Sequence, residues 1–249
     1  MTSSGVHGRG QLQPAPRAIR WWLTVGTLWS VLFTAVYLVE GATRPGYDAW
    51  RQAISTLSLG PGGWVQQANF VVLGVVTLGL ALVWRKILEG GVCATWYPIM
   101  RAVEGLSLIG IGFFSTDPTL GYPPGSVSVA PFSTAHGTAH FGFLFMIIFA
   151  QMCGLFIISR RFSGNPDWRG WVFYSILSGV LINVLIALFG ITNAHQFEYA
   201  GVFERVATNI EALWGLAIVG RLWHGARLVN GHTGTREPIP SAGHRPTSA

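Results

Sequence analysis

The segment His136-Gly-Thr-Ala-His140 holds the residues best spaced for chemistry in this chain. Two histidines at i,i+4 stand one above the other on a helix face, so their imidazoles can share one metal ion, and Zn²⁺ suits such a pair. Gly137 and Ala139 leave room beside them. No glutamate follows the first histidine, so the HExxH metalloprotease pattern is absent. The same spacing also serves a hydrogen-bonded pair that ties its helix to its neighbours.

Carboxylates stand nearby in the reading that follows. Asp117 lies in Phe113-Phe114-Ser115-Thr116-Asp117-Pro118, where the proline stops a helix. Glu204 and Glu211 are seven residues apart and share a face, with Arg205 and Asn209 between them. If the helices of His140 and Glu211 start at equal depth, both side chains sit roughly 10–12 Å below the surface, from a rise of 1.5 Å per residue. A histidine beside a buried carboxylate makes a metal site, a proton relay or a packing network. One assignment makes His136, His140 and Glu211 or Asp117 the zinc ligands, with Glu204 or Asp117 as general base on a bound water. Arg205 can neutralise Glu204 or meet a lipid phosphate.

These groups need elements to hold them, and those elements are apolar. Of 249 residues, 50% are hydrophobic and only 10% charged, far below the charge a soluble domain carries. Six runs reach the length that crosses a bilayer: Trp21–Val39, Trp64–Trp84, Trp96–Phe114, Ala135–Ser159, Gly170–Ile191 and Val202–Leu222. Trp and Tyr mark many of their ends, as amphipathic rings do at the headgroup level. The expected fold is therefore all-α: a polytopic bundle of about six transmembrane helices at residues 19–228. Disordered tails are expected at 1–18 and 229–249, which are polar and rich in Gly, Pro, Ser and Thr. The first run is too long for a secretory h-region and lacks a cleavage site, so it reads as a retained helix.

The net charge of +6 does not indicate nucleic acid, because the basic residues lie between apolar runs and form no patch. They report sidedness instead. Thirteen Lys and Arg fall on the side of both termini, Arg101 counted among them, and only Arg44, Arg51 and Arg205 on the other. That bias predicts cytoplasmic termini in the cell membrane and outward-facing loops at 40–63, 115–134 and 192–201. Cys93 and Cys153 then lie toward the cytoplasm and are not expected to pair. Arg101 and Glu104 read as a local i,i+3 pair near the inner end of the third span.

The first outer loop has a pattern of its own. In Tyr47–Leu59, Trp50, Ala53, Ile54 and Leu57 share a helical face, with Asp48, Arg51, Ser55 and Ser58 on another. This predicts a short amphipathic helix, lying on the outer membrane surface or folded back over the mouth of the bundle as a lid. Asp48, Arg51, Ser55, Arg205 and Asn209 are its candidate binding residues.

Five strings occur in order: Ala53-Ile-Ser-Thr-Leu-Ser-Leu-Gly60; Gln67-Ala-Asn-Phe70 with Gly74; Phe114-Ser-Thr-Asp-Pro118; His136 to His140; and Gly201-Val-Phe-Glu-Arg205. Together they resemble the bacterial and archaeal membrane family called domain of unknown function 998, over about residues 20–228. The resemblance implies a six-helix membrane protein and no particular reaction. A weaker likeness is to the alkaline-ceramidase and adiponectin-receptor hydrolases, which combine Ser, Asp and three His around zinc. His136 and His140 match their HxxxH, with Asp117 and Ser55 or Ser115 as counterparts. A seventh helix and a third intramembrane His are missing here.

Two functions follow as expectations. The first is a non-enzymatic protein that binds or moves a small molecule, lipid or proton in an outward-facing His/carboxylate pocket, with the lipid bilayer as its surroundings. The alternative is a zinc-dependent hydrolase acting on a lipid at the outer leaflet. Walker, dinucleotide, GxSxG and haem motifs are absent, which leaves ATP-driven transport by this chain alone without support.

Overall fold

A computed structural model describes residues 17–88, 90–130, 132–195 and 197–223. The tails expected to be disordered lie outside the described residues, apart from Arg17 and Ala18, which begin the first helix. Six long helices follow in order: α1 (Arg17–Thr43), α2 (Trp64–Ile87), α3 (Gly91–Phe113), α4 (Ala135–Ser163), α5 (Arg169–Ala194) and α6 (Ala200–Trp223). Short 3₁₀ turns at Ile54–Ser58 and Pro166–Trp168 complete the list, and no strand is present among the described residues.

Four segments are long and apolar enough to cross a membrane: Arg17–Thr43, Trp64–Ile87, Ala135–Ser163 and Pro166–Ala194. Helices α3 and α6, at 23 and 24 residues, have the length but carry Arg101 and Glu104, and Glu204, Arg205 and Glu211. The outer surface is what lipid requires: Leu28, Leu82, Phe149, Phe173 and Leu213 are all exposed, while Glu104 and His140 are buried.

Each helix packs on the one before it, and α6 returns to α1, so the six close into a ring. Short connections make neighbours antiparallel. Between α2 and α3 only residues 88–90 intervene, and Gly90 and Gly91 turn the chain at φ 66° and 78°, which glycine adopts without strain. That pair is also the tightest: a Cβ at Gly74 would lie 2.6 Å from the Gly105 carbonyl oxygen, so only glycine lets the backbones approach so closely. Pro98 lies inside α3 and has no N–H to give the Ala94 carbonyl. The Arg85 guanidinium takes that oxygen instead, at 2.7 Å. At the same end of the ring, Phe162 stacks on Trp168 and Arg221 lies 5.5 Å from the Trp168 ring centre.

The first long loop takes the fold-back course. Turns cover Asp48 to Gln52, and the helix is one five-residue 3₁₀ stretch whose Ile54, Thr56 and Leu57 are almost fully buried. Only Trp50 of the expected apolar face stays exposed. The segment is inserted into the mouth of the ring, against α1, α2 and α6.

Candidate functional site

Two groups of polar side chains stand out, one at the mouth and one halfway along the helices. At the mouth, charge is spent on backbone. Arg44 binds Glu40 Oε1 at 2.5 Å, the Pro61 carbonyl at 2.8 Å and the Gly62 carbonyl, gathering both ends of the first loop. Arg205 donates to the carbonyls of Gln52 (2.8 Å) and Gly201 (2.9 Å) and to the Tyr47 hydroxyl. Tyr47 in turn donates to Ala53 O at 2.8 Å, and burial pushes its phenol above the ordinary value. The Ile54 N–H donates to Glu204 Oε2 at 2.6 Å, and the Gly201 N–H to Arg51 O at 3.1 Å. Any side chain at Gly201 would strike the Gln52 carbonyl. Asp48 accepts from the Trp50 N–H at 2.9 Å, an Asx turn. Asn209 donates to Tyr37 and to its own helix at Arg205 O, and holds α6 to α1.

The second long loop joins the same structure. Asp117 accepts from the Thr134 hydroxyl (2.6 Å) and the Ser133 N–H (3.1 Å), while Thr134 caps α4 by accepting from the Gly137 N–H at 2.9 Å. A carboxylate at a helix N-terminus is electrostatically favoured. Gly137 is small because a Cβ there would strike the Asp117 carboxyl group. His140 Nδ1 lies 2.7 Å from the Phe114 carbonyl. A carbonyl only accepts, so Nδ1 carries a hydrogen. The strings 114–118 and 136–140 are thus one folded unit, as are 53–60 and 201–205.

The HxxxH pair separates. His140 is buried at 1% exposure, whereas His136 is exposed and packs its ring 5.4 Å from Phe114. Glu211 does not join His140. From the helix starts, His140 is roughly 8 Å along α4 and Glu211 roughly 17 Å along α6, at 1.5 Å per residue, so the depths differ. Among the described residues, no group of three or more His, Cys, Asp or Glu is placed to hold a metal. The donors at His136, His140 and Glu211 therefore do not assemble a zinc ligand set.

Glu211 belongs to the second group. Arg101 of α3 donates to Glu104 Oε2 at 2.6 Å and reaches across the ring to Glu211 Oε1 at 3.4 Å. Gln151 of α4 donates to the other Glu211 oxygen. The sequence reading placed Arg101 at the inner end because it started the helix at Trp96. In fact α3 starts at Gly91, which puts Arg101 halfway along it and leaves twelve basic residues, thirteen less one, in the tails and connections or at the adjoining helix ends on that side.

A cavity of about 190 Å³ runs inside the ring and connects the two groups. Ser55, His140 and Glu204 line it toward the mouth, and Arg101, Glu104, Gln151 and Glu211 line it halfway down. The remaining wall is mostly apolar, from Phe33 and Phe70 to Ile147 and Leu216. Asp48, Arg51, Asp117, His136, Arg205 and Asn209 are not in the wall.

No curated protein and no solved structure matches the chain. A family model described as "Protein of unknown function (DUF998)" matches residues 21–221, which includes all five strings and both polar groups. This chain belongs to the DUF998 family of proteins of unknown function.

Proposed function

We propose that this protein binds a small, largely apolar molecule or lipid fragment in the cavity inside its helix ring, and works as a binding or translocating protein of the cell membrane. The observation that carries the reading is convergence: polar side chains of α3, α4 and α6 face one apolar-walled cavity in a chain whose outside suits lipid. All six helices cross the bilayer in this reading. Both termini face the cytoplasm, since the basic residues gather at the end with short connections. The loop at 44–63 covers the outer mouth. Ser55, His140 and Glu204 meet a ligand that enters there, while Asp48, the Arg51 carbonyl and Arg205 keep the cover in place and Asn209 holds α6 to α1 beneath it.

A photoreactive diazirine-bearing alkyl alcohol tests this. Cross-linked protein in mild detergent is digested and the labelled residues mapped by mass spectrometry. Gly215 lines the cavity and has nothing within 4 Å of an added Cβ, so Gly215→Leu starts its side chain in open space and takes up cavity volume. Label is expected on wall residues such as Thr27, Ser30, Ala207 and Thr208, and is lost in Gly215→Leu. Label confined to outward residues such as Leu82, Phe173 and Leu213, unchanged by the substitution, would refute the cavity reading.

A further inference from the structure

The group halfway down the ring is not balanced in charge. It has one guanidinium, Arg101, for two carboxyl groups, Glu104 and Glu211, and Gln151 adds none. Both carboxyl groups lean on the same guanidinium, at 2.6 Å and 3.4 Å, so one positive charge faces two acids. Apolar surroundings make an uncompensated charge costly. The empty site therefore holds Arg⁺, one carboxylate and one carboxylic acid, which sum to zero.

Among the described residues that line the cavity, no other titratable group is near enough to supply the missing charge. Among the cavity-lining residues, α1, α2 and α5 contribute no titratable side chain, and α3 adds only Tyr97. His140 of α4 and Glu204 of α6 line the cavity nearer the mouth, roughly 16 Å and 10 Å away along their helices at 1.5 Å per residue. The Glu104 side chain is 4% exposed and that of Glu211 25%, so Glu211 is the carboxyl group that a molecule in the cavity can touch. Glu104 and the buried hydroxyl of Thr27, which has no hydrogen-bond partner, belong to the same wall.

Resting on the cavity reading, we infer that the Arg101–Glu104–Glu211 cluster selects a monovalent organic cation, a protonated amine on an apolar body, and releases one proton when it binds. The ammonium group takes the place of the proton that one of the two carboxyl groups held. Arg101 and two carboxylates with the ammonium again sum to zero, and the proton leaves to solvent. The apolar body occupies the space lined by Ile147 and Leu216. An anion meets the reverse: both carboxyl groups must hold protons before Arg101 is free for it.

The test uses the full chain in mild detergent, with hexylammonium chloride and 1-hexanol as probes of similar shape. Binding is followed by calorimetry in two buffers of different ionisation enthalpy, which counts protons, and by the infrared C=O stretch of a protonated carboxylic acid. Hexylammonium is expected to bind at least tenfold more tightly than hexanol, to release about one proton, and to abolish the acid band. Glu211→Gln, close in shape, should erase that preference and still bind hexanol. Hexanol bound as tightly as hexylammonium, or no acid band in the unliganded wild type, overturns the cation inference and leaves the cavity. Binding of neither probe overturns both. Proton release by sodium chloride alone overturns selectivity for an organic cation. The infrared arm needs only the wild type, so a misfolded variant does not spare the inference.

Discussion

The mouth and the middle of this ring use the same residue types in opposite ways. At the mouth, Arg44, Arg205, Asp117 and Glu204 bind mostly backbone groups, each charge fixing a loop or a helix end. Halfway down, Arg101, Glu104, Gln151 and Glu211 bind only one another, across three helices, and line the cavity. A charge satisfied by backbone is committed to the fold. One shared among side chains at a cavity wall can exchange its partner for a ligand. Under the proposed function the mouth is structural and the middle recognises the ligand, although the motifs visible in the sequence lie at the mouth.

Arg101→Ala breaks the comparison most severely if it is wrong. It leaves two buried carboxyl groups without a cation, and removing one partner of a buried pair costs about 3–5 kcal/mol. Thermal unfolding in detergent should show a large drop, recovered in part when Glu104→Gln and Glu211→Gln are added. An Arg101→Ala protein as stable as the wild type would mean that the cluster is not coupled.

Arg205→Ala should be milder and local. Loss of charge-assisted bonds costs about 1.5–3 kcal/mol, and hydrogen exchange should rise at 47–54 with little change around Glu104. Exchange that spreads through α3 would erase the boundary between the two regions.

The histidines sharpen it further. His140→Ala gives up the bond to Phe114 O and leaves a buried carbonyl, for about 1–3 kcal/mol. His136→Ala is expected within about 0.5 kcal/mol of wild type, as at ordinary surface sites. Elemental analysis of the same samples gives a second readout: near-stoichiometric zinc that vanishes in either variant would restore the hydrolase reading.

Smallest is the pH effect at Tyr47. Burial raises its phenol above the usual value of about 10, so the folded state favours the neutral form. Its packing is fully kept below about pH 10 and weakens as the pH rises beyond it. Tyr47→Phe should remove that part of the alkaline loss of stability, and an unchanged alkaline limb would show that Tyr47 does not contribute.

Much of the fold was legible because apolar length is a local property. All six runs became helices, and the Trp-marked ends fell within a few residues of the observed ones. The start of α3 shows the cost of a small error: five residues moved Arg101 from an interface to the middle of the ring. The loop helix had the right apolar face at Ile54 and Leu57, but spacing does not tell a membrane surface from a ring mouth. His140 and Glu204 line the cavity, and Glu211 meets Gln151, about three turns along α4 from the His140 expected beside it, together with Arg101 of α3. Across-ring pairing depends on the order and depth of helices, and no short stretch of sequence carries either. Asp117 and Gly137 could have been read together as a cap, since Ser133-Thr134 directly precedes α4.

The ring closes only when the last helix meets the first, and this bears on how the chain is made. Until α6 emerges from the ribosome, neither the cavity nor the reach from Arg101 to Glu211 exists. Arg101 nevertheless has Glu104 three residues away on its own helix, bonded at 2.6 Å. The α2–α3 hairpin, tightly joined at Gly74 and Gly105, can thus enter the bilayer with its mid-helix Arg101 already neutralised. Glu211, arriving last, brings the second carboxyl group.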